Sequence, residues 1–171
     1  MRPLLNAWLT ATGLRVSLRP LGEDDDAFAR RVFAATRGDG FRHAGLPAVD
    51  LENLIELQRR AQLSQYHARF PDADVDVVIA DGEPVGYWQI HRGVDRFTLI
   101  DVALLPEASG QGIGSCLVGE FLNEAAAAGK PVSCHVERHN PAARLWRRLG
   151  FRVVNDDGVY LELEADPAGP D

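Results

Sequence analysis

Residues 97–114, FTLIDVALLPEASGQGIG, decide the fold of this chain. The segment 97–105 is almost entirely apolar, which is typical of a buried strand, and Pro106 ends it. The glycine-rich segment 109–114 allows backbone conformations that other residues avoid. The apolar run 113–128 then has the length of a helix. The stretch therefore predicts a strand, a glycine-rich loop and a helix in succession.

Alternation of apolar and polar residues predicts further strands on both sides of this unit. These strands are 14–19, 75–80, 85–90, 132–136, 151–154 and 159–163. Asp81-Gly82 and Asp157-Gly158 are hairpin turn signals, so each joins an antiparallel pair. Helices are expected over 27–33, from a cap at Asp50 to Phe70, and over 140–149, while 37–49 reads as a loop.

The pattern predicts a mixed α/β (α+β) fold, with a mostly antiparallel central sheet of about seven strands flanked by about four helices. We expect one domain over residues 14–165, preceded by an N-terminal extension, 1–13, and followed by a C-terminal tail, 166–171. A chain of 171 residues is long enough for one well-buried core.

Composition excludes several classes of protein. The net charge of -7 argues against nucleic acid as a ligand. The sequence has neither a long apolar run nor a recognisable signal peptide, so we expect a cytoplasmic protein that does not bind membranes. Cys116 and Cys134 form no CxxC pair, which argues against a disulfide framework and a thiolate zinc site. We read both as buried apolar residues and expect no metal.

The glycine loop stands where a strand meets a helix, and the N–H groups at a helix start suit an anion such as a diphosphate. The glycines at 110, 112 and 114 do not match the GxGxxG of dinucleotide-binding folds, and no Lys-Ser or Lys-Thr follows as in a P-loop. A plain glycine-rich turn remains the alternative.

Residues 102–114, VALLPEASGQGIG, resemble the acetyl-CoA loop of the GNAT acyltransferase superfamily. Downstream, residues 140–151, NPAARLWRRLGF, resemble that family's second signature, a short helix that starts at Asn and ends in Leu-Gly-Phe. The order of strands from 14 to 163 is similar to the family's layout. The resemblance implies binding of acetyl-CoA as acyl donor.

Carried over residue by residue, the resemblance implies a set of donor-binding positions. The loop residues would hold the pyrophosphate of coenzyme A, Leu104 and Leu105 would offer backbone groups to the pantetheine arm and the acetyl carbonyl, and Asn140 would contact the arm or cap its own helix. The positions are Leu104, Leu105, Ser109, Gly110, Gln111, Gly112, Ile113, Gly114, Ser115, Asn140 and Trp146.

Two positions depart from the family's pattern. Ser109 stands where the family usually has Arg or Gln, so one side-chain contact with the donor's phosphates is missing. Trp146 stands where many members have a tyrosine that protonates the departing thiolate, and an indole N–H has no useful acidity. A thiol with a pKa near ~8.5 is a tolerable leaving group without that acid.

The acceptor amine must lose a proton before it attacks. Asp101, in an otherwise apolar strand, is the first candidate base, and it either faces the substrate cleft or is paired. Glu137 lies on a polar strand face with Ser133, His135 and His139, which fits a proton relay, a metal or plain solvation. Tyr160 is a candidate acid, although core packing is the alternative for it and for Tyr87 and Trp88, of which one is expected to line the cleft.

We therefore predict an acetyl-CoA-dependent N-acetyltransferase acting on a small-molecule or peptide amine. One alternative is a degenerate GNAT module that binds coenzyme A or a protein partner without turnover. The other is an adapter that binds a protein through loop 37–49, which also holds His43. The sequence leaves open whether the chain is a monomer or a homodimer.

Overall fold

A computed structural model describes residues 7–167 of the chain. Residues 1–6 and 168–171, which hold part of the expected extension and most of the expected tail, lie outside the described residues. Within the described part the strands are β1 (Trp8–Leu9), β2 (Arg15–Pro20), β3 (Asp74–Ala80), β4 (Glu83–Arg92), β5 (Phe97–Leu104), β6 (Val132–Glu137), β7 (Arg152–Asp156) and β8 (Tyr160–Ala165). The α-helices are α1 (Asp26–Arg37), α2 (Asp39–Arg42), α3 (Ala48–Arg69), α4 (Ile113–Ala127) and α5 (Ala143–Arg148).

All eight strands form one sheet in the order β1-β2-β3-β4-β5-β6-β8-β7. Each neighbouring pair is antiparallel except β5 and β6, which run parallel. The glycine loop and α4 connect these two strands, as a parallel crossover requires. The predicted mixed, mostly antiparallel sheet is confirmed.

Helices cover the two faces of the sheet separately. On the back face α4 and α5 bury Ile113, Phe121 and Trp146 against the apolar side chains of β4, β5, β6 and β8. On the front face Val32 of α1 packs on Ala103 at the end of β5. Trp88 belongs to the back core and the neighbouring Tyr87 to the front, because successive side chains of a strand alternate.

Three local predictions need correction. Residues 8–9, inside the expected N-terminal extension, pair with β2 as an edge strand. Segment 37–49 is not all loop, since α2 forms within it. Helix α3 begins at Ala48 rather than behind a cap at Asp50, because Pro47 supplies the extended residue before the first turn and the fixed proline backbone suits a helix start.

Candidate functional site

Strands β5 and β6 separate along their length. They pair only over 97–99 and 132–134, although β5 continues to Leu104 and β6 to Glu137. Beyond the last pair the two strands have no ladder between them. The sheet therefore contains a gap that opens toward the glycine loop, with backbone hydrogen-bonding groups along its edge.

Leu104 and Leu105 differ in what their backbones offer to this gap. The Leu105 N–H donates to the Val85 carbonyl (2.8 Å), and its own carbonyl accepts from the Ala108 N–H (2.9 Å). Because hydrogen-bonded and free pairs alternate in an antiparallel ladder, Leu104, opposite Gly86, directs its N–H and C=O away from β4 and into the gap. Of the two residues, Leu104 alone has a backbone available to a ligand in the gap.

The glycine loop presents a row of backbone N–H groups. Gly110 and Gly112 adopt positive φ angles (74° and 81°), and Gly112 immediately precedes the first residue of α4. Among the described residues, the N–H groups of 110–115 have no acceptor. Such a row at the positive end of a helix dipole is suited to a phosphate group.

The loop side chains of Ser109 and Gln111 are bound within the loop itself. Ser109 Oγ donates to the Leu105 carbonyl (3.4 Å), and Gln111 Nε2 donates to the Glu107 carbonyl (2.8 Å). These bonds fix the loop and leave anion binding to its backbone.

Helix α5 lies beside the first turn of α4, with Leu145 Cδ2 4.0 Å from the place of a Cβ on Gly114. Asn140 Oδ1 accepts the Ala142 N–H (2.9 Å), so this side chain organises the turn into α5, as the capping alternative requires. Trp146 is 5% exposed, and its Nε1 has no hydrogen-bond partner among residues 7–167. A buried donor without an acceptor is unusual and costs stability.

A cavity of about 380 Å³ lies on the front face, between the sheet and helices α1 and α3. Its walls are the residues Leu21, Gly22, Glu23, Asp26, Ala29, Phe33, Arg59, Gln62, Leu63, Tyr66, Val75, Tyr87, Gln89 and Asp101. The cavity reaches Asp101 on β5, the strand that borders the gap. A second molecule in this cavity would therefore lie next to one bound in the gap.

Asp101 both faces the cavity and is paired. Its carboxylate is 7% exposed and accepts two bonds from the Arg37 guanidinium, at 2.5 and 3.2 Å. Arg37 also donates to Gln62 Oε1 (2.8 Å), and Gln62 Nε2 donates to the Tyr66 hydroxyl oxygen (2.6 Å). Burial opposes the charge on Arg37, but the Asp101 carboxylate outweighs it and raises the pKa of Arg37.

Two tyrosine hydroxyls near Asp101 stay protonated. Burial, and next the Asp101 charge, raise the pKa of Tyr87 far above its ordinary value, and the same two causes raise the pKa of Tyr66. The Tyr66 hydroxyl accepts from Gln62, which leaves its own proton to donate. Both side chains therefore act as neutral hydrogen-bond donors.

The other two candidate catalytic residues lie outside the cavity walls. Glu137 and Tyr160 are cross-strand neighbours at the ends of β6 and β8, and both are exposed. Tyr160 still lies close enough to Tyr66 to contribute to its raised pKa. No group of His, Cys, Asp and Glu within residues 7–167 has the arrangement of a metal site.

Sequence reasoning missed Gln89, Gln62 and Arg59, which come from three parts of the chain and meet only in the fold. The alternation of Tyr87 and Trp88 did predict that one would line the cleft, and it is Tyr87. None of the described helices is long and apolar enough to span a membrane.

Residues 71–153 match the family profile described as the acetyltransferase (GNAT) domain. No curated protein matches the chain. Among solved structures, the PaiA N-acetyltransferase of Thermoplasma acidophilum, in complex with coenzyme A, shares 18% identity at a TM-score of 0.66, over 88% of this chain and 98% of that one. The ribosomal-protein-S18-alanine N-acetyltransferase of Escherichia coli shares 16% identity at a TM-score of 0.61, over 91% of this chain and 96% of that one. An acetyltransferase of Thermus thermophilus shares 24% identity at a TM-score of 0.58, over 87% of this chain and 94% of that one.

Proposed function

We propose that this chain, whose residues 71–153 match the acetyltransferase (GNAT) domain, transfers an acetyl group from acetyl-CoA to a primary amine by direct attack on the thioester. The observation that carries the proposal is the row of N–H groups at 110–115, which have no acceptor within residues 7–167 and lie at the mouth of the gap between β5 and β6. A diphosphate satisfies such a row, and the gap suits the extended arm that follows it.

The arm of the donor would lie along the free edge of β5. The Leu104 N–H and C=O, which point into the gap, would pair with its amide groups as a neighbouring strand does. A register shift leaves Ile100 without a partner on β4, since Gln89 pairs with Asp101 and Ile90 with Leu99. Such a bulge re-aims local backbone groups, here beside the place where an acetyl carbonyl would develop negative charge.

The acceptor would enter through the front cavity and meet the thioester at Asp101. There the amine loses its proton, through water, to the Asp101 carboxylate that Arg37 holds in place. The nitrogen forms a bond to the acetyl carbon, the carbon–sulfur bond breaks, and coenzyme A leaves as its thiolate. The nitrogen, positively charged after its attack, releases a second proton to solvent and becomes the neutral amide.

Protonation of that thiolate does not depend on Trp146, whose indole is no acid. Solvent supplies the proton, and Tyr160 and Glu137, which are exposed at the ends of β8 and β6, are candidates for its relay. The raised pKa of Tyr87 and of Tyr66 makes both hydroxyls weaker acids than an ordinary tyrosine.

The first test is titration calorimetry of acetyl-CoA, followed by thiol release in the presence of amines. Gly112→Ala and Gly129→Ala are a matched pair, because both glycines have positive φ (81° and 67°) and a Cβ at either meets no clash. Each variant loses about 1 kcal/mol of stability from this backbone strain. Only Gly112→Ala should also weaken acetyl-CoA binding, by tenfold or more, since relief of its strain turns the N–H row away from the phosphates.

Equal acetyl-CoA affinity in both variants contradicts phosphate binding at this loop. Micromolar binding of acetyl-CoA without thiol release from any amine identifies instead a module that binds the donor without turnover. Absence of binding up to millimolar concentration removes the proposed function altogether.

A further inference from the structure

The floor of the front cavity is a row of side chains that crosses the sheet. The Leu21 N–H donates to the Val75 carbonyl, Val75 pairs with Gln89, and Gln89 pairs with Asp101. Adjacent strands lie about 4.8 Å apart, so the row spans roughly 14 Å from Asp101 to Leu21. The cavity is thus an elongated trough with its inner end at Asp101.

Gln89 stands at that inner end with its hydrogen bonds unmade. It is 8% exposed and lines the cavity, yet its side-chain amide has no partner among the described residues. Tyr87, its neighbour on the same face of β4, likewise has a hydroxyl with no hydrogen-bond partner among the described residues. Trp146 Nε1 is the one fully buried side-chain polar atom without a partner within residues 7–167, so the Gln89 amide is open to the cavity, where a molecule that enters can bind it.

The cations around the trough are already engaged. Arg59, 10% exposed at its side chain, pairs with Asp26 (2.6 Å) and Glu56 (3.4 Å), and Arg37 pairs with Asp101. A carboxylate brought into the trough would find no unpaired cation in its walls. Glu23, at the exposed rim, has no ion-pair partner within residues 7–167, so the wall favours a cationic ligand.

The middle of the trough is apolar and partly aromatic. Phe33 and Leu63 line it from α1 and α3, and Val75 lines it from the floor. Apolar walls with a few placed polar groups are typical of sites for small molecules. A volume of about 380 Å³ suits a compact body such as one aromatic ring and a short chain.

We propose that the acceptor is a small amine with an apolar or aromatic body and no carboxylate, and that Gln89 binds its nitrogen beside Asp101. The inference rests on the proposed function for the chemistry, but the binding it describes is measurable without turnover. The Gln89 amide oxygen accepts an N–H of the amine, and the Gln89 carbonyl dipole orients the nitrogen lone pair toward the gap.

The test compares 2-phenylethylamine with phenylalanine, which has the same body and differs by the carboxylate. We expect kcat/KM for 2-phenylethylamine to exceed that for phenylalanine at least about 100-fold, because the carboxylate loses its hydration without gaining a partner. The same order is expected for their binding to the protein saturated with coenzyme A, measured by calorimetry. Equal values for the two compounds overturn the substrate class.

Gln89→Met keeps the length of the side chain and removes its hydrogen bonds. We expect it to raise KM and Kd for 2-phenylethylamine at least tenfold and to leave acetyl-CoA affinity unchanged. Gln89→Glu keeps an acceptor oxygen and should retain amine binding, which a purely structural role of Gln89 does not predict. Gln58→Met, at an exposed position on α3, is the matched control and should bind both ligands as the parent does.

Failure of the two proposals can be told apart. If 2-phenylethylamine binds the parent but not Gln89→Met, and no thiol is released, the amine site at Gln89 stands and the proposed acetyl transfer does not. If thiol is released from amines and Gln89→Met matches the parent in KM for 2-phenylethylamine, the role of Gln89 is overturned and the acetyl transfer stands.

Discussion

Replacing Arg37 by methionine should strongly destabilise the protein, because it leaves the Asp101 carboxylate buried without its cation. Asp101 is 7% exposed at its side chain, and its remaining contact is Gln62 Nε2 at 3.5 Å. Removal of one partner of a buried ion pair costs about 3 to 5 kcal/mol. Arg37 itself is 31% exposed, so we expect the lower end, about 3 kcal/mol, or roughly 6 to 12 °C in Tm for a chain of this size.

A second substitution should restore part of that loss. Asp101→Asn alone removes the charge of the side chain but keeps its shape. The partly exposed Arg37 guanidinium then forms hydrogen bonds with water instead, at a cost of about 1 to 2 kcal/mol. In the double variant Arg37→Met/Asp101→Asn no buried charge is left. It should therefore be about 1 kcal/mol more stable than Arg37→Met, although it carries one more change.

Urea unfolding at pH 7, followed by tryptophan fluorescence, measures these differences. Arg31→Met is the matched control, since Arg31 lies on the same helix and its pair with Glu107 is exposed on both sides, so its loss costs no more than about 0.5 kcal/mol. Equal stability of Arg37→Met and Arg31→Met, or a double variant less stable than Arg37→Met, would show that the buried Asp101 charge does not need Arg37.

Three further predictions concern other parts of the chain. Burial raises the pKa of Cys134 to about 12. Iodoacetamide at pH 8 should therefore leave Cys134 unmodified in the native protein and react only with the less buried Cys116. Peptide mass mapping detects which of the two cysteines is modified. The Arg19 guanidinium and the Gly22 N–H lower the pKa of Asp25 to about 2. The stabilising effect of the Asp25 carboxylate is therefore present above pH ~4 and is lost as pH falls through about 2. The difference in urea midpoint between Asp25→Asn and the parent should shrink over that range. A Cβ at Gly86 would collide with the Ala103 carbonyl across the β4–β5 ladder, so Gly86→Ala should lower Tm clearly more than Gly129→Ala does.

The sequence predicted the features that local patterns determine. The hairpin turn at Asp81-Gly82 and the strand, loop and helix over 97–128 were all expected and are confirmed. These features depend on residues close together in the chain, where turn chemistry and periodicity act directly. The start of α3 was misplaced because Asp50 is a good cap in isolation, whereas Pro47 begins the helix earlier.

The front cavity could not be predicted, because its residues meet only through tertiary contacts. Arg37 and Asp101 are 64 positions apart, and no local pattern links an arginine at the end of a helix with a carboxylate in a strand. Gln89 reads as one polar residue in an amphipathic strand until the pairing of β4 with β5 places it opposite Asp101. The sequence did single out Asp101, since a carboxylate in an apolar strand needs either a partner or a function.

The gap between β5 and β6 also bears on how the molecule holds together. Within residues 7–167, the ladder between the two halves of the sheet consists of the pairs from Phe97–Val132 to Leu99–Cys134. A ligand arm lying in the gap would act as an additional strand and close the seam between the halves. Binding would then stiffen the whole sheet, and the slowest hydrogen exchange would spread outward from Leu104 to the strands on both sides.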